Sequence, residues 1–392
     1  MKKVFAIVLS VLMVLSLFAG CGAAPNVNLG GNTGGEGSGN TVIKVGTSGP
    51  LTGDYAVYGV AVANGLELAF EEINAKGGLQ FAVKAEDDEA DPEKAVNAYN
   101  SLMDWGMQIM AGPVTSGAAG ATAQKCAEEN VFMLTPSASD AAVIAAGDNI
   151  FQICFTDPNQ GMGSARYIKN NNMASKVGVI YDSSSPYSAG IYATFKAEAQ
   201  KLGLNIVVEA PFTESTKGDL TTQVTKCQQA GCDLVFLPIY TAEAVKVLTL
   251  AAGSDFDAKF FGCDGLDGIL DAKDFDTSLA EGVMLLTPFD ATAAENQAFV
   301  TAYTNKFGVA PNQFAADAYD VAYAIYQACV AGNVTADMTA EQINTIMVQQ
   351  ITSMSFDGLT GKAMTWGADG AVSKDPAAVV IEGGKYVSIV NE

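Results

Sequence analysis

Histidine is absent from the 392-residue chain, and basic side chains are few, with 21 lysines and arginines against 43 aspartates and glutamates. Without imidazole, neither a Ser-His nor a Cys-His catalytic pair can be built, and histidine metal ligands are excluded. The formal net charge of −22 argues against a nucleic-acid partner, because binding to phosphates requires a basic face. The same charge argues against docking on anionic lipid by electrostatic attraction alone.

Long apolar runs are also scarce. Beyond the first 20 residues no stretch offers about 18 uncharged apolar residues, the length that a membrane-spanning helix needs. Residues 1–20 begin with two lysines and continue as an apolar run, which is typical of a secretory signal peptide. The stretch "LFAGC" resembles a bacterial lipobox, which implies that Cys21 is lipidated; an ordinary signal peptide cleaved elsewhere is the alternative. The Gly- and Asn-rich residues 21–41 predict a flexible tether to that anchor.

A Cys-x-x-Cys pair is missing too, although six cysteines follow Cys21: Cys126, Cys154, Cys227, Cys232, Cys263 and Cys329. Each lies in an apolar or helical context, which favours small buried hydrophobic residues over disulfides. An exported protein nevertheless permits disulfides. Cys227 and Cys232, five residues apart at a predicted helix end, are the most plausible pair.

Short apolar runs alternate with amphipathic stretches along the rest of the chain. The first series predicts strands at 42–48, 79–87, 108–113 and 131–136. Its predicted helices are one that ends near 77, one at 91–105 and one at 116–129. The second series predicts strands at 176–181, 205–211, 233–239, 258–262 and 282–288, with helices near 188–202, 218–230 and 242–253. Helices within 293–332 and near 339–350 follow, and short antiparallel strands are predicted at the C-terminus. Two such series predict an α/β protein with two doubly wound parallel-sheet lobes.

Small polar and aromatic residues follow the predicted strands, at the edge where ligands bind in open α/β sheets. Serines and threonines follow the strands of the first series. Tyr187, Tyr240 and Asp264 follow strands of the second series. This set suits a small zwitterion, because serine hydroxyls and helix N-termini bind a carboxylate and an acidic side chain binds an ammonium group. Asp264 or Asp140 could supply that charge. Lys and Arg are missing from these junctions, which disfavours phosphate or a dicarboxylate.

Several motifs, taken in order, carry a resemblance to a known family: "IKVGTSGPLTGDYAVYG", "GLELAFEEINAKGG", "DDEADPEKAV", "GPVTS", "LTPSASD" and "FTDPNQG". From about Thr41 to the C-terminus the chain resembles branched-chain amino acid binding proteins, the extracytoplasmic receptors of ABC importers with the type I periplasmic-binding fold. The resemblance implies a monomeric binding protein with no catalytic, metal or cofactor site, which delivers a small amino acid to permease subunits. It implies ligand contacts from Tyr58, Ser116, Ser137, Ala138, Ser139, Tyr187, Tyr240 and Asp264.

The resemblance also implies a chain that passes between its lobes three times. Lobe one would comprise 42–156 and 287–377, and lobe two would comprise 157–286 and 378–392. The crossings near Asp157, Thr287 and Ala377 would form the hinge. The chain departs from its Gram-negative relatives in two ways: Ala90 and Thr115 replace a disulfide pair, and Asp264 stands where the family usually has the longer Glu.

Alternative functions and simpler roles remain at this point. The same fold could report ligand occupancy to a separate membrane sensor. An esterase or amidase would need a base beside its serine, and no Lys lies within five residues of Ser137 or Ser139. Asp140 is predicted to cap the helix that follows it. The acidic run 86–93 lacks calcium-loop spacing, and is predicted to be a solvated turn with a helix cap.

Overall fold

The computed structural model describes residues 41–254, 256–374 and 377–389. The predicted signal peptide, the lipidated Cys21 and nearly all of the tether lie outside these described residues. Within them, no helix is both long and apolar enough to cross a membrane.

The first sheet has five parallel strands in the order β2-β1-β3-β4-β5. They are β1 (Ile43–Gly49), β2 (Phe81–Asp87), β3 (Ile109–Met110), β4 (Phe132–Thr135) and β5 (Ile150–Gln152). Every residue of β3, β4 and β5 is buried, as expected for parallel strands that are covered on both faces. The sequence predicted β1 to β4 and missed β5.

Among the described residues, seven helices pack with this sheet and form the first unit. They are α1 (Ala56–Ala75), α2 (Pro92–Trp105), α3 (Ser116–Glu128), α4 (Ala141–Ile144), and, from later in the chain, α9 (Gln297–Phe307), α10 (Gln313–Ala331) and α11 (Ala340–Ile351). Helix α2 begins as predicted. The Asp91 carboxylate accepts hydrogen bonds from the backbone N–H groups of Glu93 and Lys94, and Pro92 occupies the first helical position.

The second sheet has seven strands in the order β12-β11-β10-β9-β8-β6-β7. The parallel strands are β6 (Val177–Asp182), β7 (Ile206–Phe212), β8 (Leu234–Leu237), β9 (Lys259–Gly262) and β10 (Met284–Thr287). Strands β11 (Ala377–Glu382) and β12 (Lys385–Ser388) are antiparallel and meet at the Gly383-Gly384 turn, which confirms the predicted C-terminal hairpin.

Four helices complete the second unit: α5 (Asp157–Asn170), α6 (Pro186–Leu202), α7 (Thr221–Gln229) and α8 (Thr241–Gly253). Helix α5 was not predicted, whereas the short α4 was anticipated by the predicted cap at Asp140. Short 3-10 helices lie at Asp264–Leu266, Ile269–Asp271, Thr277–Ala280 and Ala294–Asn296.

The chain passes between the two units three times: between β5 and α5, between β10 and α9, and before β11. A buried ion pair holds the third passage to the first unit, because Lys374 Nζ lies 2.7 Å from Asp317 Oδ1 on α10 and 2.6 Å from the Thr360 hydroxyl. The overall architecture is the two-sheet α/β fold that the sequence predicted. The exact lobe limits and the hinge motion remain predictions.

Candidate functional site

A small cavity lies between the two units, at the carboxyl ends of β3 and β4 on one side and of β6, β8 and β9 on the other. It encloses about 260 Å³ of space, counting its mouth, and is lined by Tyr58, Val114, Thr115, Ser137, Tyr187, Tyr240, Asp264, Gly265 and Phe314. Five of the eight predicted ligand contacts are therefore brought together here. The other three, Ser116, Ala138 and Ser139, are buried and do not line the cavity.

Asp264 is a buried carboxylate in the wall that the second unit contributes. Its side chain follows β9 and is 4% exposed. The Tyr187 hydroxyl donates a hydrogen bond to Asp264 Oδ1 at 2.6 Å. Burial raises the pKa of Asp264 to about 7, although the hydrogen bond from Tyr187 offsets part of that effect. A cation entering the cavity would therefore be attracted to this carboxylate and would favour its ionised form.

Asp157 is a second buried carboxylate close to this wall, and it was predicted only as part of the hinge. It is 1% exposed, and neither carboxylate oxygen has a hydrogen-bond partner among the described residues. Burial raises its pKa well above the usual range, and the nearby Ser139 hydroxyl opposes this shift without reaching normal hydrogen-bond geometry. A buried polar group without a partner is costly. Asp157 is not part of the cavity lining, so a ligand would reach its oxygens only if the wall beside it shifted.

One sequence signal would have revealed Asp157. It lies five residues after the end of β5, as Tyr187 lies five residues after the end of β6. Because β5 itself was missed, the segment "FTDPNQG" was interpreted as a crossing and not as a junction where a strand ends.

The turn after β4 is fastened by Thr135. Its hydroxyl donates to Pro113 O at 2.6 Å and accepts from the Ala138 N–H at 3.1 Å. Asp140 accepts from the Ala142 N–H at 3.0 Å at the start of α4, which confirms its predicted role as a helix cap. The turn therefore holds the serines of "TPSASD" in fixed positions beside α3.

Some of the serine and threonine hydroxyls that the first unit places near the cavity already make hydrogen bonds within the protein, and others do not. The Ser137 hydroxyl donates to Val114 O at 2.7 Å, and the Ser116 hydroxyl accepts from the Asp140 N–H at 3.3 Å. The Ser139 and Thr115 hydroxyls are buried and have no partner among the described residues. Thr115 precedes α3 without capping it through its side chain and lines the cavity, yet it was not among the predicted contacts.

Aromatic rings form the apolar part of the cavity wall. Tyr187 and Tyr240 stack with ring centres 4.7 Å apart and planes 6° from parallel. Tyr58 packs against Tyr240 at 5.4 Å and edge-on against Phe314 at 4.8 Å. Phe314 lies on α10, far along the sequence from any strand junction, and was not predicted. These rings offer an apolar surface to a small aliphatic group.

Hydrogen bonds join the two units around the cavity. The Tyr58 hydroxyl donates to Gly265 O at 2.6 Å and accepts from the Thr241 N–H at 2.7 Å. Gln313, the first residue of α10, donates through its side chain to Asp264 O at 2.9 Å and through its backbone N–H to Asp267 Oδ2 at 3.0 Å. The structure therefore shows the two units in contact across the cavity.

A further contact lies at the outer edge of the cavity. Tyr55 donates to Glu243 Oε1 at 3.0 Å and accepts from Lys217 Nζ at 3.0 Å. The Lys217 ammonium group also lies 4.9 Å from the centre of the Tyr55 ring. Tyr55 was not among the predicted ligand contacts, and its hydroxyl is occupied here by the opposite unit.

Two larger cavities lie elsewhere and lack comparable chemistry. One, of about 1340 Å³, lies on the outer side of α10, where the Tyr319 and Tyr323 hydroxyls are already bonded to Glu72. The other, of about 1390 Å³ counting its mouth, is lined by alanine and valine side chains of α1, α8 and nearby loops together with exposed charged residues such as Asp54, Asp271 and Lys273. Across the described residues, no group of three or more His, Cys, Asp or Glu side chains could hold a metal ion.

Comparisons with known proteins point to one family. A family model described as "Periplasmic binding protein" matches residues 42–385. The Leu/Ile/Val-binding protein homolog 3 of Brucella melitensis is 33% identical over 228 residues, which cover 57% of this chain and 61% of that protein. The Leu/Ile/Val-binding protein BraC3 of Rhizobium johnstonii is 31% identical over 228 residues, which cover 57% of this chain and 62% of that protein. The chain thus spans less than two thirds of each relative.

A solved structure extends the similarity over most of the chain. It is the branched-chain amino acid transporter substrate binding protein LivJ of Streptococcus pneumoniae in complex with isoleucine. The TM-score is 0.79 and the sequence identity is 27%, over 88% of this chain and 97% of that chain.

Proposed function

The chain belongs to the periplasmic binding protein family, and we propose that it is the extracytoplasmic substrate-binding component of an ABC importer. Its ligand would be a branched-chain or related small amino acid. The observation that carries this proposal is the buried carboxylate of Asp264, which lines the cavity together with the unpaired Thr115 hydroxyl and an aromatic wall, while Asp157 is buried nearby. Similarity to Leu/Ile/Val-binding proteins and to the isoleucine complex of LivJ supports it.

Asp264 and Asp157 would bind the ammonium group. One carboxylate oxygen of Asp264 accepts a hydrogen bond from the Tyr187 hydroxyl, and the other oxygen would bind the ligand. Both oxygens of Asp157 lack hydrogen-bond partners within the described chain. An ionised carboxylate and an ammonium group form a charge-assisted hydrogen bond, which is among the stronger contacts in a buried site.

The hydroxyl side of the cavity would bind the ligand carboxylate. Thr115 and Ser116 stand at the N-terminus of α3, where backbone N–H groups and the helix dipole favour an anion. Ser137, Ala138 and Ser139 approach from the turn after β4 and would add hydroxyl and backbone contacts. No cationic side chain lines the cavity, so these neutral donors would replace a basic residue.

Tyr58, Tyr187 and Tyr240 would enclose the aliphatic side chain together with Phe314. The cavity is too small for a peptide or an oligosaccharide, which restricts the proposal to a small ligand such as a single amino acid. A difference of one methylene is worth only about 1–3 kcal/mol in such a pocket, so related amino acids would bind with comparable affinity.

Ligand binding would be coupled to closure of the two lobes. The hydrogen bonds that Tyr58 and Gln313 make to the opposite unit would form on closure and break on opening about the crossings near Asp157, Thr287 and Ala377. The ligand would stabilise the closed state because only that state surrounds it, and the permease subunits would recognise that state. A lipidated Cys21 and the tether would hold a monomeric binding protein at the outer surface of the cell membrane.

A thermal-shift screen with each of the twenty amino acids tests the proposal. Because ligand binding to the folded state raises the unfolding midpoint, leucine, isoleucine or valine should give the largest increase. The Asp264→Asn variant should lose most of that increase. An increase with a sugar or a dipeptide, and none with any amino acid, would contradict the ligand assignment.

A further inference from the structure

The C-terminal end of α7 brings two cysteines together. The Cys232 N–H donates to Cys227 O at 3.1 Å, and the Gly231 N–H donates to Gln228 O at 3.0 Å. Gly231 has a φ of +66°, in the left-handed region. These two bonds and the left-handed glycine define a Schellman motif, in which the residue after the glycine packs its side chain on the residue five positions earlier.

In this protein, both side chains of that contact are thiols. A Cβ atom placed on Gly178 of β6 would lie 2.9 Å from Cys227 Sγ and 2.9 Å from Cys232 Sγ. The two sulfur atoms are therefore less than about 6 Å apart, over the same glycine. The backbone hydrogen bond between the two cysteines also keeps their Cα atoms within roughly 4.4–6.8 Å, the separation that disulfides span.

We propose that Cys227 and Cys232 form an intrachain disulfide when the protein folds outside the cytoplasm. The two thiols lose two protons and two electrons as the S–S bond forms, and a disulfide oxidant accepts them and becomes two thiols. The oxidant belongs to the class of small-molecule disulfides or exported disulfide oxidoreductases. The proposal rests on the extracytoplasmic location and on no feature of the ligand cavity.

Burial determines when this bond forms. Cys227 is fully buried and Cys232 is 3% exposed, so an oxidant reaches neither sulfur in the folded protein. Burial also raises the pKa of Cys227 to about 12, which leaves little of the thiolate that disulfide exchange requires. The disulfide therefore forms during folding, before the hydrophobic core of the second unit packs around it, and afterwards resists reduction.

The bond lies away from the ligand cavity. It connects the end of α7 to the residues that precede β8, whereas the ligand side of the second unit lies at the carboxyl ends of the strands. The disulfide therefore stabilises the second unit and leaves ligand affinity unchanged. The other buried thiols have different neighbours, such as Met347 Sδ at 3.6 Å from Cys329 Sγ.

Peptide mass mapping of the full-length, exported protein tests the proposal directly. Free thiols are blocked with N-ethylmaleimide in denaturant, and the protein is digested with trypsin without reduction. Residues 227–246 form one tryptic peptide that contains both cysteines. We expect this peptide to be unalkylated and lighter by two hydrogens, and to gain two alkyl groups after reduction. Two alkyl groups before reduction, or a link from either cysteine to a third one, overturn the proposal.

A refolding experiment separates the proposal from an effect of the expression host. The reduced, unfolded full-length chain refolds with a mixture of reduced and oxidised glutathione, and the same peptide should again be oxidised. If the reduced protein is folded first and glutathione is added afterwards, the disulfide should form at least tenfold more slowly than when the unfolded chain refolds in glutathione. Equal rates would contradict the role of burial, and free thiols after refolding would overturn the disulfide.

Variants give an independent readout. The Cys227→Ala/Cys232→Ala protein should have a lower unfolding midpoint than the oxidised wild type, and refolding with a reductant should lower the midpoint of the wild type only. Cys329→Ala, which loses another buried thiol, should keep the sensitivity to reductant. A wild-type midpoint that is the same with and without reductant would contradict a stabilising bond. If the double variant does not fold, the peptide mass map of the wild type still shows whether Cys227 and Cys232 are joined by a disulfide.

Discussion

Tyr58, in the first unit, donates its hydroxyl hydrogen to the carbonyl oxygen of Gly265, in the second unit, over 2.6 Å. The same hydroxyl accepts from the Thr241 N–H at 2.7 Å, and the Tyr58 ring lines the cavity. One side chain therefore fastens the two units together and forms part of the wall that a ligand would touch. Under the proposed mechanism, it links closure to ligand affinity.

Replacing Tyr58 with Phe should raise the Kd for the amino acid ligand about tenfold, measured by isothermal titration calorimetry. The ring remains, but the closed state loses its bonds to Gly265 O and the Thr241 N–H. A lost buried hydrogen bond typically costs about 1–2 kcal/mol, and tenfold corresponds to about 1.4 kcal/mol.

Tyr99→Phe is the matched control. Tyr99 is also buried, and its hydroxyl donates to Glu129 Oε2 at 3.0 Å within the first unit, away from the cavity. This control should leave the Kd unchanged. Equal affinities for the Tyr58→Phe protein and the wild type would show that the Tyr58 bonds do not contribute to the ligand-bound state.

Replacing Asp264 with Asn should weaken binding of the amino acid about 100-fold, because the ammonium group loses a charged partner while the Tyr187 hydroxyl keeps an acceptor. The loss should be specific for the amine. The wild type should prefer leucine strongly over 4-methylpentanoate, which lacks the amine, and the variant should discriminate far less. Asp271→Asn, an exposed carboxylate on the neighbouring 3-10 helix, is the control and should behave as wild type.

The affinity should depend on pH through the same carboxylate. Burial raises the pKa of Asp264 to about 7 when the two units are in contact, whereas bound ammonium requires the ionised form. As the pH falls below about 7, ligand binding must release a proton, so the Kd should rise by up to about tenfold per pH unit. Asp157 contributes in the same direction, because burial also raises its pKa.

Calorimetric titrations between pH 5 and 8 measure this dependence. The Kd of the Asp264→Asn variant should change less with pH, because only Asp157 still takes up a proton as the pH falls. A Kd that stays constant over this range in the wild type would exclude a buried, proton-binding carboxylate as the ammonium partner.

Gly161 allows close packing of α5, which carries Asp157, on α6, which carries Tyr187. A Cβ atom at Gly161 would lie 2.7 Å from the Phe195 backbone nitrogen and would also overlap Ile191 O. Gly161→Ala should therefore reduce the free energy of unfolding of the second unit by about 2–3 kcal/mol, and lower the unfolding midpoint.

Gly120→Ala provides the opposite case. Gly120 lies within α3, and a Cβ atom added there would have no other atom within 4 Å, so alanine should stabilise the helix by about 0.5–1 kcal/mol. Similar midpoints for the Gly161→Ala protein and the wild type would show that α5 and α6 can separate without cost.

The sequence predicted the two-sheet architecture well, because long strand and helix patterns repeat in order. Strand β5 (Ile150–Gln152) escaped prediction because only the four-residue helix α4 precedes it, so the alternation of strands with long amphipathic helices is lost there. Caps were predictable from local chemistry alone, as Asp91 and Asp140 show. Each of these features depends on neighbours within a few residues.

The site could be predicted only in part, because much of it arises from contacts between distant parts of the chain. Tyr187 and Asp264 were predicted from their place after strands, and the structure joins them by a 2.6 Å hydrogen bond. Phe314 and Gln313 reach the cavity from α10, where no strand junction marks them. Asp157 was missed as a site residue because the strand before it was missed. The predicted ligand contacts of the serines remain predictions.

Calorimetric titration of the purified protein with leucine, isoleucine and valine at pH 7.5 is the decisive experiment for the proposed amino acid site. We predict that at least one of them binds with a stoichiometry of one, that 4-methylpentanoate binds far more weakly, and that Asp264→Asn removes most of the difference. Absence of binding by all three amino acids, or equal affinity for the ligand without its amine, would show that the cavity is not an amino acid site of this kind.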